Sequence, residues 1–227
     1  PTQFGPREDL SKYPRQLRRD QALCRNEGVD VIFAPTVRTM YPTGAQTVVT
    51  VPGIARRWEG EARQHHFQGV ATVVTKLLSL VRPDKTWFGQ KDYQQAALVQ
   101  QLVKDLNLPG LPIVHPIVRE ADGLALSSRN VYLSSSERQA APVLSRALQA
   151  GVAAIRAGER NGTRIRRHML RVVATEPLAT VEYLAVCDPA TLEPLSLLNR
   201  QAVLLGAIRI GTVRLLDNVL TSFRRKP

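Results

Sequence analysis

The sequence predicts an α/β protein, with a parallel sheet and helical crossovers in its first two-thirds and a smaller α+β unit with an antiparallel sheet after it. Three observations carry this reading. Short β-branched apolar runs alternate with amphipathic helical segments up to about Val118. Past that point helical segments come first, and strand-like runs follow without long helices between them. The 227 residues, 44% of them hydrophobic, suffice for one large domain or two unequal ones. The change of pattern divides the chain into 1–117 and 118–227.

Taken in order, Pro14 opens a helix that Gly28 closes. Val29-Asp30-Val31-Ile32-Phe33-Ala34, stopped by Pro35, reads as a buried parallel strand. A loop-rich stretch with a turn at Tyr41-Pro42-Thr43-Gly44 follows. Val70, Val73, Val74, Leu77, Leu78 and Val81 then fall on one helical face, which Pro83 ends. Thr86-Trp87-Phe88 is the next strand, Val99, Leu102, Val103 and Leu106 mark a second helical face, and 113–118 form a third strand. In the second part, Ser134-Ser135-Ser136-Glu137 is a capping signal, and Pro142 kinks or restarts the helix it opens. Leu144, Leu148 and Ile155 share a face that stops at Gly158, and a short helix surrounds Ile165, Met169 and Val172. Strand-like runs close the chain at 181–187, 202–210 and 213–216.

Composition narrows the function. The net charge of +12 attracts phosphates, whether on nucleotides or nucleic acids. Aromatics are only 5%, so basic residues are not interleaved with base-stacking ones, and nucleic acid is not the expected partner. The basic runs Arg164-Ile165-Arg166-Arg167 and Arg224-Arg225-Lys226 are short and read as solvated surface. No apolar run approaches the roughly 20 residues of a membrane span, and the chain does not open on a signal-peptide pattern. Cys24 and Cys187 stand far apart without a Cys-x-x-Cys pair, which reads as two reduced core residues in a cytoplasmic protein.

Four polar clusters lie in the connections, where α/β sheets bind ligands. In Phe88-Gly89-Gln90-Lys91-Asp92-Tyr93-Gln94-Gln95, Gly89 admits a ligand to the backbone, Lys91 offers charge to a phosphate, and Asp92 offers a carboxylate to magnesium. Alone, this loop is as well explained by a surface Lys–Asp pair and two solvated glutamines. Ala125-Leu126-Ser127-Ser128-Arg129-Asn130 gathers anion donors, although serine-rich loops are usually only loops. Pro1-Thr2-Gln3-Phe4-Gly5-Pro6 is a small polar pocket or a simple turn. Arg63-Gln64-His65-His66-Phe67-Gln68-Gly69-Val70 leads into a helix; adjacent histidines diverge on a regular backbone, so polarity and packing at the helix start explain them better than a metal. His115 and His168 have no partner motif.

In this order, these segments resemble the pantothenate synthetase family. The resemblance rests on Pro1-Thr2-Gln3-Phe4-Gly5, Asp9-Leu10-Ser11-Lys12-Tyr13-Pro14-Arg15, Val31-Ile32-Phe33-Ala34-Pro35, His66-Phe67-Gln68-Gly69-Val70-Ala71-Thr72-Val73-Val74, the segment from Gly89 to Gln95, that from Val118 to Asn130, and Arg214-Leu215-Leu216-Asp217-Asn218. It covers essentially the whole chain and implies a Rossmann-like ATP- and pantoate-binding domain at 1–117 and an α+β lid at 118–227. The implied reaction is the ATP-dependent condensation of pantoate with β-alanine through pantoyl adenylate, with Mg2+ and a homodimer. Residue by residue, the resemblance implies that Gln3 and Gln95 hold pantoate, Gln3 also lying at β-alanine. Gly89, Gln90, Lys91 and Asp92 would contact ATP, with Asp92 on the magnesium side. Val118 would meet adenine, and Leu126, Ser127, Ser128 and Arg129 would grip phosphate. Lys91, Ser127, Ser128 and Arg129 are the implied catalytic set, and Arg63 and His66 fall near the lid.

The family pattern also has an initial βα unit with a His-x-Gly-His segment that this sequence does not show. The expectation is therefore weak nucleotide binding and low turnover by the chain as written, or a remnant that binds nucleotide or a partner without turnover. A fused cytidylate kinase domain occurs in some relatives, and the chain ends where such a junction falls.

Overall fold

The computed structural model describes residues 2–5, 10, 13 and 15–221. Pro1, Pro6, Asp9, Ser11, Lys12, Pro14 and the Arg224-Arg225-Lys226 run, invoked above, lie outside them.

Helix α1 (Leu17–Asn26) ends before Gly28, whose positive φ of 74° only glycine adopts without strain. The run 29–34 is not a strand. No described residue ladders with it, and Val31 and Phe33 stand 80% and 52% exposed. Its composition suits a buried strand, but a strand exists only where a neighbour completes its backbone hydrogen bonds. Three single-turn helices that periodicity cannot reveal follow: α2 (Val37–Met40), α3 (Pro52–Ala55) and α4 (Glu59–Ala62).

Helix α5 (His66–Val81) buries Phe67, Val70, Ala71 and Leu78; of the expected face only Val70 and Leu78 are buried, Val73, Val74 and Leu77 are half-buried, and Val81 is exposed. Strand β1 (Lys85–Gly89) runs through a 3-10 turn at Gln90–Asp92 into α6 (Tyr93–Leu106), which buries Leu98, Val99 and Leu102. Strand β2 (Leu111–His115) then pairs parallel to β1, with Lys85 opposite Leu111 and Gly89 opposite His115. This β–α–β crossover is the parallel core the sequence predicts, although β2 stops at His115 rather than 118, since Pro116 cannot continue the ladder.

In the second part, α7 (Ser135–Ala140) opens on a complete capping box. Ser134 Oγ accepts from the Glu137 amide, and Glu137 Oε2 accepts from the Ser134 amide. Pro142 separates it from α8 (Val143–Arg156), and α9 (Gly162–Val173) packs beside α8. Strands β3 (Ala179–Cys187), β4 (Val203–Ile210) and β5 (Val213–Leu220) form an antiparallel sheet in that order.

Strand alternation gives this sheet two buried faces. On one, Leu184, Val186, Leu204, Ile208 and Leu215 pack with α8 and α9. On the other, Ala185, Cys187, Val203 and Leu205 pack with Phe67, Val70, Leu98 and Leu102 of α5 and α6. The sheet is thus the middle layer, and the polar loops at the end of β1 meet β5 along its edge. Of the two cysteines expected in the core, Cys187 is fully buried and desolvation pushes its thiol up to about 12. Cys24 is only half-buried, because α1 buries none of its residues. Both are free thiols. No helix among the described residues is long and apolar enough to cross a membrane.

Candidate active site

The loop 89–92 leaves the carboxyl end of β1, where α/β sheets place their ligands. It faces a cleft of about 900 Å³. Lys91 and Asp92 line one side, and Ser127, Arg129 and Asn130 line another. Glu182, Arg209, Arg214 and Asp217, from β3, β4 and β5, form a third. A smaller cavity of about 40 Å³ adjoins it. Arg63, Lys91 and Asp92 line both, whereas His66 and Gln95 line only the smaller one.

The Lys91 and Asp92 side chains are only loosely paired. Lys91 Nζ lies 3.4 Å from Asp92 Oδ1, and the Asp92 side chain is half exposed. So long a contact between partly hydrated groups contributes little, and either group is free to exchange it for a ligand. The opposing loop is built on firmer footing. Arg138 holds Glu120 at 2.6 Å and Asp122 at 2.5 Å, and the Asp122 carboxyl sits below the usual carboxylate range because of that contact and the Leu124 amide. Asn130 Nδ2 donates to Glu120 and to the Ala125 carbonyl. Ser127 caps the 3-10 turn at Ser128–Tyr132, accepting from the Arg129 amide at 3.3 Å. The base of the loop is therefore tied down, while Ser127 and Arg129 face the cleft.

Gln3 reaches this region through its backbone. Its carbonyl accepts from His66 Nδ1 at 2.7 Å and from Arg63 Nη2 at 3.3 Å. A carbonyl only accepts, so Nδ1 carries the proton, and Nε2 is left to accept from Arg63 Nη1 at 3.0 Å. His66 thus joins a segment-holding contact beyond the helix-start polarity its position suggests. Close approach needs Gly69: a Cβ there would stand 2.1 Å from the Thr2 carbonyl oxygen.

Of the residues singled out in the sequence, the structure gathers Lys91, Asp92, Ser127 and Arg129 around the larger cleft and Gln95 around the smaller. Gly89, Gln90, Ser128, Val118, Leu126 and Gln3 do not line either; Val118 and Leu126 are 55% and 49% exposed, and the Val118 carbonyl accepts from the Leu126 amide. Sequence reasoning missed the third wall. Glu182 sits at a register shift in β3, between Val181 and Tyr183, and such a bulge re-aims a side chain. It binds Arg209 at 2.9 Å and Arg214 at 2.6 Å. The signal was three charged residues inside apolar strand runs, without a reason to connect them. Among the described residues no three His, Cys, Asp or Glu side chains cluster as metal ligands.

Comparison with known proteins gives the family and the fold. The family model for pantoate-beta-alanine ligase matches residues 1–220. Pantothenate synthetase of Roseiflexus castenholzii is 54% identical over 97% of this chain and 79% of its own length. That of Herpetosiphon aurantiacus is 48% identical over 97% of this chain and 80% of its own. The crystal structure of the Thermus thermophilus enzyme superposes with a TM-score of 0.93 at 47% identity, covering 96% of this chain and 79% of that one. A Francisella tularensis pantoate-beta-alanine ligase complexed with Beta-gamma ATP and beta-alanine gives 0.72 at 33%, covering 97% and 76%. With the family model and close relatives both spanning nearly the whole sequence, the chain belongs to the pantoate–β-alanine ligase family.

Proposed function

We propose that this protein joins pantoate to β-alanine at the expense of ATP, and that pantoate is first activated as pantoyl adenylate. The observation that carries the reading is the cleft in which Lys91 and Asp92, at the end of β1, face Ser127 and Arg129 across about 900 Å³. A pantoate carboxylate oxygen attacks the α-phosphorus of ATP, and the bond to the bridging oxygen breaks to release pyrophosphate. The β-alanine amine then attacks the acyl carbon, loses a proton and displaces AMP. Both steps bring anions together, so positioning and fixed positive charge dominate catalysis.

Lys91 and Arg129 neutralise charge on the phosphates, and the Ser127 hydroxyl donates to them. Gln95, and Gln3 beside Arg63 and His66, bind pantoate, since an amide can donate to a carboxylate and accept from a hydroxyl. Val118 at the adenine, and Gly89, Gln90, Leu126 and Ser128 along the nucleotide, belong to the same reading, supported by family membership. Magnesium typically keeps several waters and takes one or two carboxylates plus substrate phosphates. The half-exposed carboxylate of Asp92 at the cleft would suit such an ion delivered with ATP, and the ion would supply positive charge at the phosphates. Family membership also supports a homodimer working in the cytoplasm.

Pyrophosphate release tests the reading. It should need ATP, magnesium and pantoate but not β-alanine, and pantothenate should form only once β-alanine is added. Nucleotide binding without pantoate-dependent pyrophosphate would instead favour a nucleotide-binding role without turnover.

A further inference from the structure

The segment Arg214-Leu215-Leu216-Asp217-Asn218 of β5 contributes no residue to the substrate roles above, yet through Asn218 it is hydrogen-bonded to the loop after β1. Asn218 is 2% exposed and every polar atom of its side chain is used. Its Nδ2 donates to the carbonyls of Gln90 at 2.8 Å and Lys91 at 2.9 Å, and its Oδ1 accepts from Gln90 Nε2 at 3.1 Å. Three hydrogen bonds from one side chain therefore hold the two residues on which the Lys91 ammonium is mounted.

Asn218 is itself immobilised. Its amide donates to Asp217 Oδ1 at 2.7 Å, and Arg119 grips both Asp217 oxygens at 2.7 Å each. Arg119 comes from the stretch between β2 and the Ser127 loop, and its Nη1 also donates to the Gly123 carbonyl at 2.9 Å. The Asp217 carboxylate is 4% exposed, so the bidentate pair acts in a weakly hydrated setting. One connected set of hydrogen bonds thus runs from the base of the Ser127–Arg129 loop, through Arg119, Asp217 and Asn218, to the backbone beneath Lys91.

We infer that Asn218 is a positioning residue for adenylation: it fixes the backbone of Gln90 and Lys91 so that the Lys91 ammonium and Asp92 carboxylate face the phosphate-binding loop. This rests on the proposed reaction. The 3-10 turn at Gln90–Asp92 is three residues long and makes no side-chain cap of its own, so its conformation depends on this external clasp.

Asn218→Asp and Asn218→Ser separate the roles. The carboxylate has nearly the same shape but cannot donate to either carbonyl, and serine leaves a single shorter donor and a smaller side chain. Amide hydrogen exchange read without substrates should quicken at least about tenfold across residues 89–93 while α8 keeps its protection, as expected when a locally closed unit loses its anchor. In steady-state assays kcat for pantoate-dependent pyrophosphate release should fall about tenfold or more, with the KM for pantoate within about threefold of the parent, because transition-state positioning is lost rather than ground-state binding. Exchange at 89–93 unchanged in either folded variant overturns the inference. So does a kcat equal to the parent's. A parent that releases no pyrophosphate counts against the proposed reaction alone, and the exchange measurement still decides the clasp.

Discussion

Lys91 and Gln95 straddle the turn into α6, but only Lys91 lines both cavities. Their replacements should therefore have different signatures. Lys91→Ala removes a cation from the phosphate side and should slow pyrophosphate release by on the order of 10²-fold. Gln95→Ala removes an amide from the smaller cavity and should raise the pantoate requirement much more than the ATP requirement. Identical effects of both on ATP and pantoate, in initial-rate measurements, would reduce Gln95 to a packing role. Of the polar residues picked out in the strand-to-helix loops, Lys91, Asp92, Ser127 and Arg129 come together at the cleft, whereas Gln90 and Ser128 of the same loops line neither cavity. Glu182 and Arg209 were not legible, because their partners lie across a strand register and a bulge, nor was the role of Asn218, whose partners Gln90 and Lys91 sit in the loop after β1, far away along the chain.

Helix α5 carries a second test. Gly69 sits in its first turns, and alanine at an interior helical site normally stabilises by about 1 kcal/mol. Here the added Cβ would meet the Thr2 carbonyl oxygen at 2.1 Å and the Gln3 amide nitrogen at 2.9 Å, a backbone collision that outweighs propensity. Gly69→Ala should push 2–3 off the helix and raise the pantoate requirement several-fold, with ATP use less affected. A variant with normal pantoate kinetics and a higher melting temperature would show that the segment is not held as described. Amphipathic helices α5, α6, α8 and α9 and the capping box at Ser134 were all legible, since their signals lie within one element. The run 29–34 was misread for the opposite reason: apolar composition marks a strand's suitability, and its partner decides its existence.

Across the whole molecule, the two sequence-defined parts are joined by a buried charge network. Arg214 donates to both oxygens of Glu59, at 2.6 and 2.5 Å, and Tyr183 donates to Glu59 at 2.9 Å. The Glu59 amide donates to Gln94, whose amide in turn donates to the carbonyls of Ile54 and Arg57. Burial works against the Arg214 cation, yet Glu59 and Glu182 outweigh it and hold its pKa above the usual arginine value. Glu59 is 7% exposed, so Arg214→Met would strand a carboxylate, at a cost of about 3–5 kcal/mol. The double change Glu59→Gln with Arg214→Met should recover part of that loss in urea unfolding, and strict additivity would contradict the coupling. The sequence showed two patterns, parallel and antiparallel, but gave no sign that one sheet would serve both cores through its two faces.

The central claim is that pantoate is activated on the α-phosphorus of ATP in the cleft between Lys91 and Arg129. Pantoate labelled with ¹⁸O in its carboxylate, incubated with the protein, ATP, magnesium and β-alanine, tests it most directly by mass analysis of the products. Adenylation predicts one labelled oxygen in AMP for each pantothenate formed, and none in free phosphate or pyrophosphate. Label in inorganic phosphate, or pantothenate made without label reaching AMP, would contradict the account.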